Sequence, residues 1–323
     1  MIRVAVVGMG LMGMLHARIL NNLRDVEVVG AVDISDERLD AVKRELAIPV
    51  YKDLAAVMDE VDAVSVTLPD ELHVAACTSA LQAGKFVLVE KPLATTVADA
   101  RKILDAQLEP NRLMVGQLLR FDLRLGELKR RMDAGQFGRI EFVKVHRANG
   151  RAAVARLKGR ASVTAFLGVH DLDLLLWLTG GSIAKVQAMG RKVFSGQWDL
   201  SLAHIELDNG VIASVENHWL IHAASARSAF AGIQVFGDKG TASLDLSTDE
   251  LELATDELGM TRRIDSRNWS HDGGLSGGSL RRELESWIEA IRSGEPMPVS
   301  GEEGLRAVTA LNMVEAALDR QNM

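Results

Sequence analysis

The first thirty-three residues constrain this chain most. They begin with a short apolar run, Ile2 to Val7, that stops at Gly8. Gly10 and Gly13 complete the spacing G-x-G-x-x-G, and a helical pattern from Leu11 to Leu23 starts at once. A second apolar run, Val26 to Val32, ends in Asp33, about 20 residues beyond the glycines. Gly8 allows a tight turn, Gly10 lets the backbone approach a pyrophosphate, and Gly13 lets the helix pack close to the strand. Free N–H groups and the positive dipole end at the helix start then receive phosphates. Asp33 can accept hydrogen bonds from both hydroxyls of an adenine ribose and would repel a 2′-phosphate, which favours NAD over NADP. Gly8, Gly10, Leu11, Met12, Gly13 and Asp33 are therefore candidate dinucleotide contacts.

At 323 residues, two domains are expected. The net charge of −7 comes without a long block of either sign, which speaks against nucleic-acid binding. The single cysteine, Cys77, rules out an internal disulfide framework and suits a reducing compartment. It lies among small apolar residues of a helical stretch and reads as a buried, inert thiol. No secretory pattern opens the chain, and no apolar run of membrane-spanning length is present. A cytoplasmic protein is expected, with neither membrane nor nucleic acid as partner.

From Met1 to about residue 120, short apolar runs alternate with helical patterns. Ile2–Val7, Val26–Val32, Ala63–Leu68, Phe86–Val89 and Leu113–Gly116 read as strands covered on both faces. Leu11–Leu23, Glu37–Leu46, Leu54–Met58, Glu71–Ala83 and Val97–Gln107 read as helices, with Asp36 and Asp53 as N-caps and Gly84 as a C-cap. The expected fold class is α/β: a doubly wound parallel sheet over residues 1–120, then an α+β domain with a large, open, mostly antiparallel sheet over 121–323. In the second part, Phe121–Ala134 reads as a connecting helix and Val163–Leu178 as one helix. Ile140–His146, Ala184–Phe194, Ser201–Leu207, Val211–Leu220, Ala229–Phe236 and Thr241–Leu246 alternate like strands with one covered face. Asp208-Asn209-Gly210 signals a hairpin. Residues 259–279 read as a loop, and 280–293 and 302–320 as terminal helices of the second domain.

Glu90-Lys91-Pro92 follows a strand whose carboxyl end should face the ligand crevice. A partly desolvated lysine beside a cationic nicotinamide could move the proton of a substrate hydroxyl. The tripeptide alone leaves a surface lysine before a turn equally open. Together with Gly168-Val169-His170-Asp171-Leu172-Asp173, Thr67-Leu68-Pro69 with His73, and Gly116 with Arg120-Phe121, these motifs resemble the glucose–fructose oxidoreductase/inositol dehydrogenase/rhizopine catabolism (Gfo/Idh/MocA) family over essentially the whole chain. The resemblance implies hydride transfer between NAD(P) and a ring carbon of a sugar, cyclitol or sugar nucleotide. Lys91 would be the proton-transferring lysine and His170 the histidine that contacts the same hydroxyl. Thr67, Leu68, Pro69, His73, Glu90 and Lys91 would line the cofactor. Many members carry an aspartate four residues before the histidine; this chain has Phe166.

Arg147 to Arg160 holds five basic residues and no acid. The resemblance places this segment beside the substrate, so Arg147, Arg151, Arg156 or Arg160 could grip an anionic group; a solvated loop is as good a reading. Arg120 and Asp173 are further candidate substrate contacts. Trp198, Trp219 and Trp269 could stack on a sugar, with packing the commoner use. The spacing of His170, Asp171 and Asp173 matches no ligand set, so no metal is expected. The resemblance implies a homodimer or homotetramer assembled through the open sheet, with a small-molecule sugar or polyol as substrate. Two alternatives keep the fold: a glycosidase that uses NAD transiently, and a non-catalytic dinucleotide-binding regulator.

Overall fold

The apolar runs of the N-terminal part form a six-stranded parallel sheet: β1 (Ile2–Val7), β2 (Val26–Val32), β3 (Val50–Tyr51), β4 (Ala63–Val66), β5 (Phe86–Glu90) and β6 (Leu113–Gly116). The strands are mostly apolar because helices cover both faces; Val6, Val64, Leu88 and Val115 are all fully buried. The helices are α1 (Leu11–Leu20), α2 (Asp36–Leu46), α3 (His73–Gln82) and α4 (Val97–Asp105). The strand order β3-β2-β1-β4-β5-β6 reverses direction between β1 and β4. A crevice for ligands opens there, outside the carboxyl ends of the strands. Ser35, not Asp36, caps α2, because Ser35 keeps extended backbone while its side chain accepts from Arg38 N–H. Asp53 does cap, but it caps a 3-10 turn; residues 54–60 form two such turns, not one α-helix.

The computed structural model describes residues 1–151, 154, 157, 159–225, 229–247, 251–255, 271–272, 275–276 and 278–320. These divide into two compact units, the described residues of Met1–Phe121 with Asn268–Val308, and those of Asp122–Arg267 with Thr309–Met323.

The second unit begins with α5 (Leu123–Asp133), capped by Asp122. Its sheet contains β7 (Ile140–Gly150), β8 (Ile183–Arg191), β9 (Leu200–Leu207), β10 (Ile212–Ile221), β11 (Ala229–Gly237), β12 (Gly240–Asp245) and β13 (Leu251–Thr255), in the order β13-β12-β11-β7-β10-β9-β8. Every neighbouring pair is antiparallel except β7 and β10, which run parallel. The Asp208–Gly210 turn joins β9 to β10, and Gly210 adopts the positive φ of +88° that such a turn requires.

One face of this sheet is covered by a π-helical turn, Thr164–Gly168, that leads into α6 (Val169–Thr179). The single helix expected over 163–178 is thus two kinds of helix in series. The opposite face alternates out of the same strands and exposes Met189, Ile212, Leu220, Phe230 and Phe236. Among the described residues, no helix is long and apolar enough to cross a membrane.

The chain then returns to the first unit. Helix α7 (Gly278–Ser293) buries Leu280, Leu284, Trp287 and Ile288 in the same core as Val4, Leu15 and Leu88. Val115 N–H donates to the Val299 carbonyl at 3.1 Å, and Asn111 bonds the backbone of Glu295 and Met297. This corrects the expected division of the chain, which gave α7 to the second domain: its apolar stripe is needed to close the first. Helix α8 (Gly301–Arg320) is divided between the units after Val308.

Candidate active site

The three glycines do different things. Gly8 has φ +92°, and a Cβ there would meet the Thr67 carbonyl at 2.9 Å. A Cβ on Gly13 would lie 2.0 Å from the Gly8 carbonyl oxygen. Both are therefore demanded by packing within the protein. Gly10 faces open space, with nothing within 4 Å of an added Cβ. It is the N-cap of α1, and no side chain caps the helix. Its lack of a side chain serves no internal contact, so the loop fits a ligand that comes close to the backbone and takes the free N–H groups. Leu11 is exposed at the helix start and Met12 is half-buried.

Asp33 is buried at the end of β2. Its Oδ2 accepts from Met9 N–H at 2.7 Å and its Oδ1 from Ser35 N–H at 2.8 Å. Arg38 Nη1 reaches Oδ2 at 3.2 Å. Oδ1 keeps a further acceptor position, so a ribose hydroxyl can still be taken there, and Oδ2 gains one when Arg38 swings aside. Ile34 beside it is 87% exposed, an apolar side chain in water where a flat ring system could rest.

Thr67, Leu68 and Pro69 follow β4. Thr67 Oγ1 lies 2.7 Å from the Gly8 carbonyl and 3.0 Å from that of Val7, so its hydroxyl holds the glycine loop in place. His73 is fully buried; its Nδ1 is 2.9 Å from the Pro92 carbonyl and its Nε2 2.9 Å from the Leu68 carbonyl. It ties the turn after β4 to the turn after β5. Glu90 accepts from His16 Nε2 at 3.2 Å and from Lys91 N–H at 3.2 Å, while His16 Nδ1 meets Ser65 Oγ at 2.8 Å. Since the Glu90 carboxylate only accepts, Nε2 carries the His16 proton on that side. Burial works to raise Glu90, but the hydrogen bond and charge of His16, with Lys91, outweigh it and hold the carboxyl below the usual range. The side chains of Thr67, His73 and Glu90, expected to contact cofactor, are thus engaged inside the protein as supports. Lys91 is half-buried and directly follows the carboxyl end of β5, the end at which sheets of this kind bind ligands.

In the second unit, His170 is half-buried on the first turn of α6. The residue after it anchors the helix. Asp171 is fully buried; its Oδ1 accepts from Arg147 Nε and Nη2 at 2.9 and 2.7 Å, and its Oδ2 from Asn217 Nδ2 at 2.7 Å. Gly168 makes this possible, since a Cβ there would sit 2.6 Å from Asn217 Oδ1. Phe166 packs on Trp219 with ring centroids 5.7 Å apart, beside Val163 and Leu167. The place of the usual aspartate is filled by an apolar contact.

The expected substrate contacts fare differently. Arg147 is committed to Asp171, with its side chain only 14% exposed, so its positive charge is neutralised within the fold. Arg120 pairs with Glu303 and is nearly buried. Asp173 is 2% exposed. Arg151 is exposed, with its guanidinium over the Phe194 ring at 5.0 Å. Arg160 Nε donates to the Leu157 carbonyl. Arg156, Trp269 and most of the loop read over 259–279 lie outside the described residues. Trp198 and Trp219 are core residues. Burial pushes the Cys77 thiol far up, in keeping with an inert residue. Among the described residues, no cluster of His, Cys, Asp and Glu could hold a metal ion.

Two family models match this chain. Residues 2–117 match an oxidoreductase family with an NAD-binding Rossmann fold, and residues 126–243 match the GFO/IDH/MocA C-terminal domain. The chain belongs to the Gfo/Idh/MocA family of oxidoreductases. One relative, inositol 2-dehydrogenase 2 of Saccharopolyspora erythraea, is 31% identical over 306 residues, covering 90% of this chain and 86% of the relative. UDP-N-acetylglucosamine 3-dehydrogenase of Acidithiobacillus ferrooxidans is 26% identical; its solved structure superposes with a TM-score of 0.83 over 99% of this chain and 98% of that one. The fold is shared with scyllo-inositol dehydrogenase of Lactobacillus casei, solved with NAD(H) and scyllo-inositol, at a TM-score of 0.82 and 21% identity over 99% and 97% of the two chains.

Within this Gfo/Idh/MocA chain, several residues of the site escaped the sequence reading. His16 stands three residues past Gly13, where a polar ring on a buried helix face is a usable signal. Ser65 and Asn217 carried none, since only the fold brings them to His16 and Asp171. Ile34 could have been noticed as an apolar residue at a strand end.

Proposed function

We propose that this oxidoreductase transfers a hydride between NAD and a ring hydroxyl or ketone of a cyclitol, sugar or sugar nucleotide, with Lys91 moving the hydroxyl proton. The observation that carries the reading is Lys91 at the crevice end of β5, on a backbone held by the buried Glu90–His16–Ser65 chain. The names of the relatives, inositol and sugar-nucleotide dehydrogenases, support the substrate class and favour it over a glycosidase or a regulator.

The residues that would hold the dinucleotide are Gly8 to Gly13 with the free N–H groups of α1, Asp33 on the ribose, and Ile34 against the adenine. When bound, the nicotinamide supplies the hydride acceptor or donor. Lys91 Nζ takes the hydroxyl proton in oxidation and returns it in reduction. Glu90 accepts from the Lys91 backbone N–H and so orients the turn. The family resemblance assigns His170 the role of a second polar contact to the hydroxyl. NAD is preferred to NADP because Asp33 places a buried negative charge where a 2′-phosphate would sit. With Arg147 committed to Asp171, an anionic substrate loses one of its expected contacts, and the exposed Arg151 is the next candidate. The exposed apolar side chains on the open sheet support a homo-oligomer assembled through that face.

The deciding experiment mixes the protein with NAD and a panel of inositols, aldoses, uronic acids and sugar nucleotides, and follows NADH absorbance. Lys91→Ala should lower turnover by roughly 10²–10⁴-fold and leave NAD affinity intact. Unchanged turnover in that variant removes Lys91 from the chemistry.

A further inference from the structure

Glu283 lies on α7 and is fully buried. Among the described residues, neither of its carboxyl oxygens has a hydrogen-bond partner, and neither do two other buried atoms of the same unit, Gln117 Nε2 and Trp287 Nε1. Trp287 stands one turn along from Glu283 on the same helix face. Gln117 follows β6, whose Gly116 pairs in register with Glu90. A Cβ on Gly116 would lie 3.5 Å from the Glu90 carboxyl carbon. Helix α7 packs on α1, which carries His16, and on the 118–121 turn. Three buried polar groups with no part in the reaction above therefore gather on the elements around Glu90.

A buried carboxylate without a donor costs far more than a buried carboxylic acid. Glu90 has donors in His16 Nε2 and Lys91 N–H, and Glu283 has none. We propose that Glu90 and Glu283 hold one proton between them, carried on Glu283, so that the two buried acids present a single negative charge beside the turn that carries Lys91. Burial, and after it the charge of Glu90, push the Glu283 carboxyl well above the usual carboxylate range. The charged or titratable groups on the surrounding elements are His16 and Arg18 of α1, Glu90 at the end of β5 with Lys91 after it, and Arg120 with Glu303. Arg18 is engaged with Glu45, Arg120 with Glu303, and Arg282 of α7 itself with the Phe121 carbonyl. None of these cations bonds the Glu283 carboxyl. Were both acids ionised, the second charge would favour the ammonium form of Lys91 and delay its action as a base.

The part played at Lys91 rests on the proposed function; the shared proton does not, and the test separates them. Infrared spectra of the full chain with NAD at about pH 8 should show a protonated-carboxyl C=O band that is absent in Glu283→Gln. In Glu90→Gln that band should titrate away at lower pH, because the repelling charge is gone. With a substrate that turns over, Glu283→Gln keeps the charge count and should move the pH midpoint of kcat by less than ~0.3 unit, while Glu90→Gln should lower it by about 1 unit. A wild-type spectrum without the protonated band overturns the proposal. So does a Glu283→Gln variant whose midpoint falls as far as that of Glu90→Gln. If no polyol is turned over, the infrared bands still decide the shared proton, and the failure falls on the proposed function. If Glu283→Gln does not fold, the titration of the band in Glu90→Gln carries the same decision.

Discussion

At the scale of single residues, Asp33 shows how a buried acid can be both bonded and available. It holds the glycine loop through Met9 and its own turn through Ser35, and it is the counterion of Arg38. Asp33→Ala should weaken NAD about tenfold or more, the worth of hydrogen bonds to a charged group. It should also release Arg38 to meet a 2′-phosphate, so calorimetry should show the NAD-over-NADP preference shrinking. An unchanged preference would remove Asp33 as the discriminator. Glu283 makes a prediction about stability. Its folded value is raised, so its contribution is fully present below the unfolded value of about 4.5 and is lost as pH rises through the folded one. Melting temperatures measured from pH 4 upward should therefore fall in the wild type relative to Glu283→Gln (a comparison over roughly pH 4 to 9). A constant difference between the two proteins would contradict this. Gly8, Gly13 and Asp33 were legible in the sequence because local spacing defines them. Glu283 was not: a glutamate on an amphipathic helix looks solvated until the helix is seen to bury it.

At the scale of elements, α6 is held by polar contacts at one end and apolar ones along its length. The Arg147–Asp171–Asn217 cluster fixes the turn that carries His170, and Gly168 gives Asn217 its approach. Asp171→Asn should cost about 3–5 kcal/mol, because it leaves the Arg147 cation partly buried without its counterion. Denaturant melts should report that loss. Turnover should fall with it while NAD affinity in the first unit stays, and a fall in NAD affinity of the same size would count against the anchoring role. The π-helical turn ahead of α6 is why the single helix expected over 163–178 does not keep one α-helical phase: each π turn holds more residues, so the phase slips before His170. Elements with strict alternation or tight turns, such as β9 and β10 about Asn209-Gly210, were read from the sequence within a residue or two. In the basic run from Arg147, the charge pattern could not reveal the buried partner that Arg147 has 24 residues on.

At the scale of the molecule, the open sheet leaves a hollow of about 450 Å³ among Lys144, His146, Glu216, His218, Phe230 and Gln234 on its uncovered face. Burial holds His146 and His218 below the ordinary histidine range. If a second copy covers this face, protonating them costs more still, so assembly should weaken as pH falls through their lowered range. Solution scattering should find an oligomer at neutral pH that Leu220→Glu or Phe230→Glu dissolves, and a wild-type monomer would end the idea. The path of α7 has another consequence. A chain is synthesised from its N-terminus, and contiguous domains fold as they emerge from the ribosome. Here the strands that begin the first unit appear early, yet Leu280, Leu284, Trp287 and Val299, which complete its core, come from the last fifth of the chain. Until they arrive, Leu113 and Val115 lack their cover, so the nascent Rossmann sheet must wait, incomplete, through the whole synthesis of the domain inserted within it.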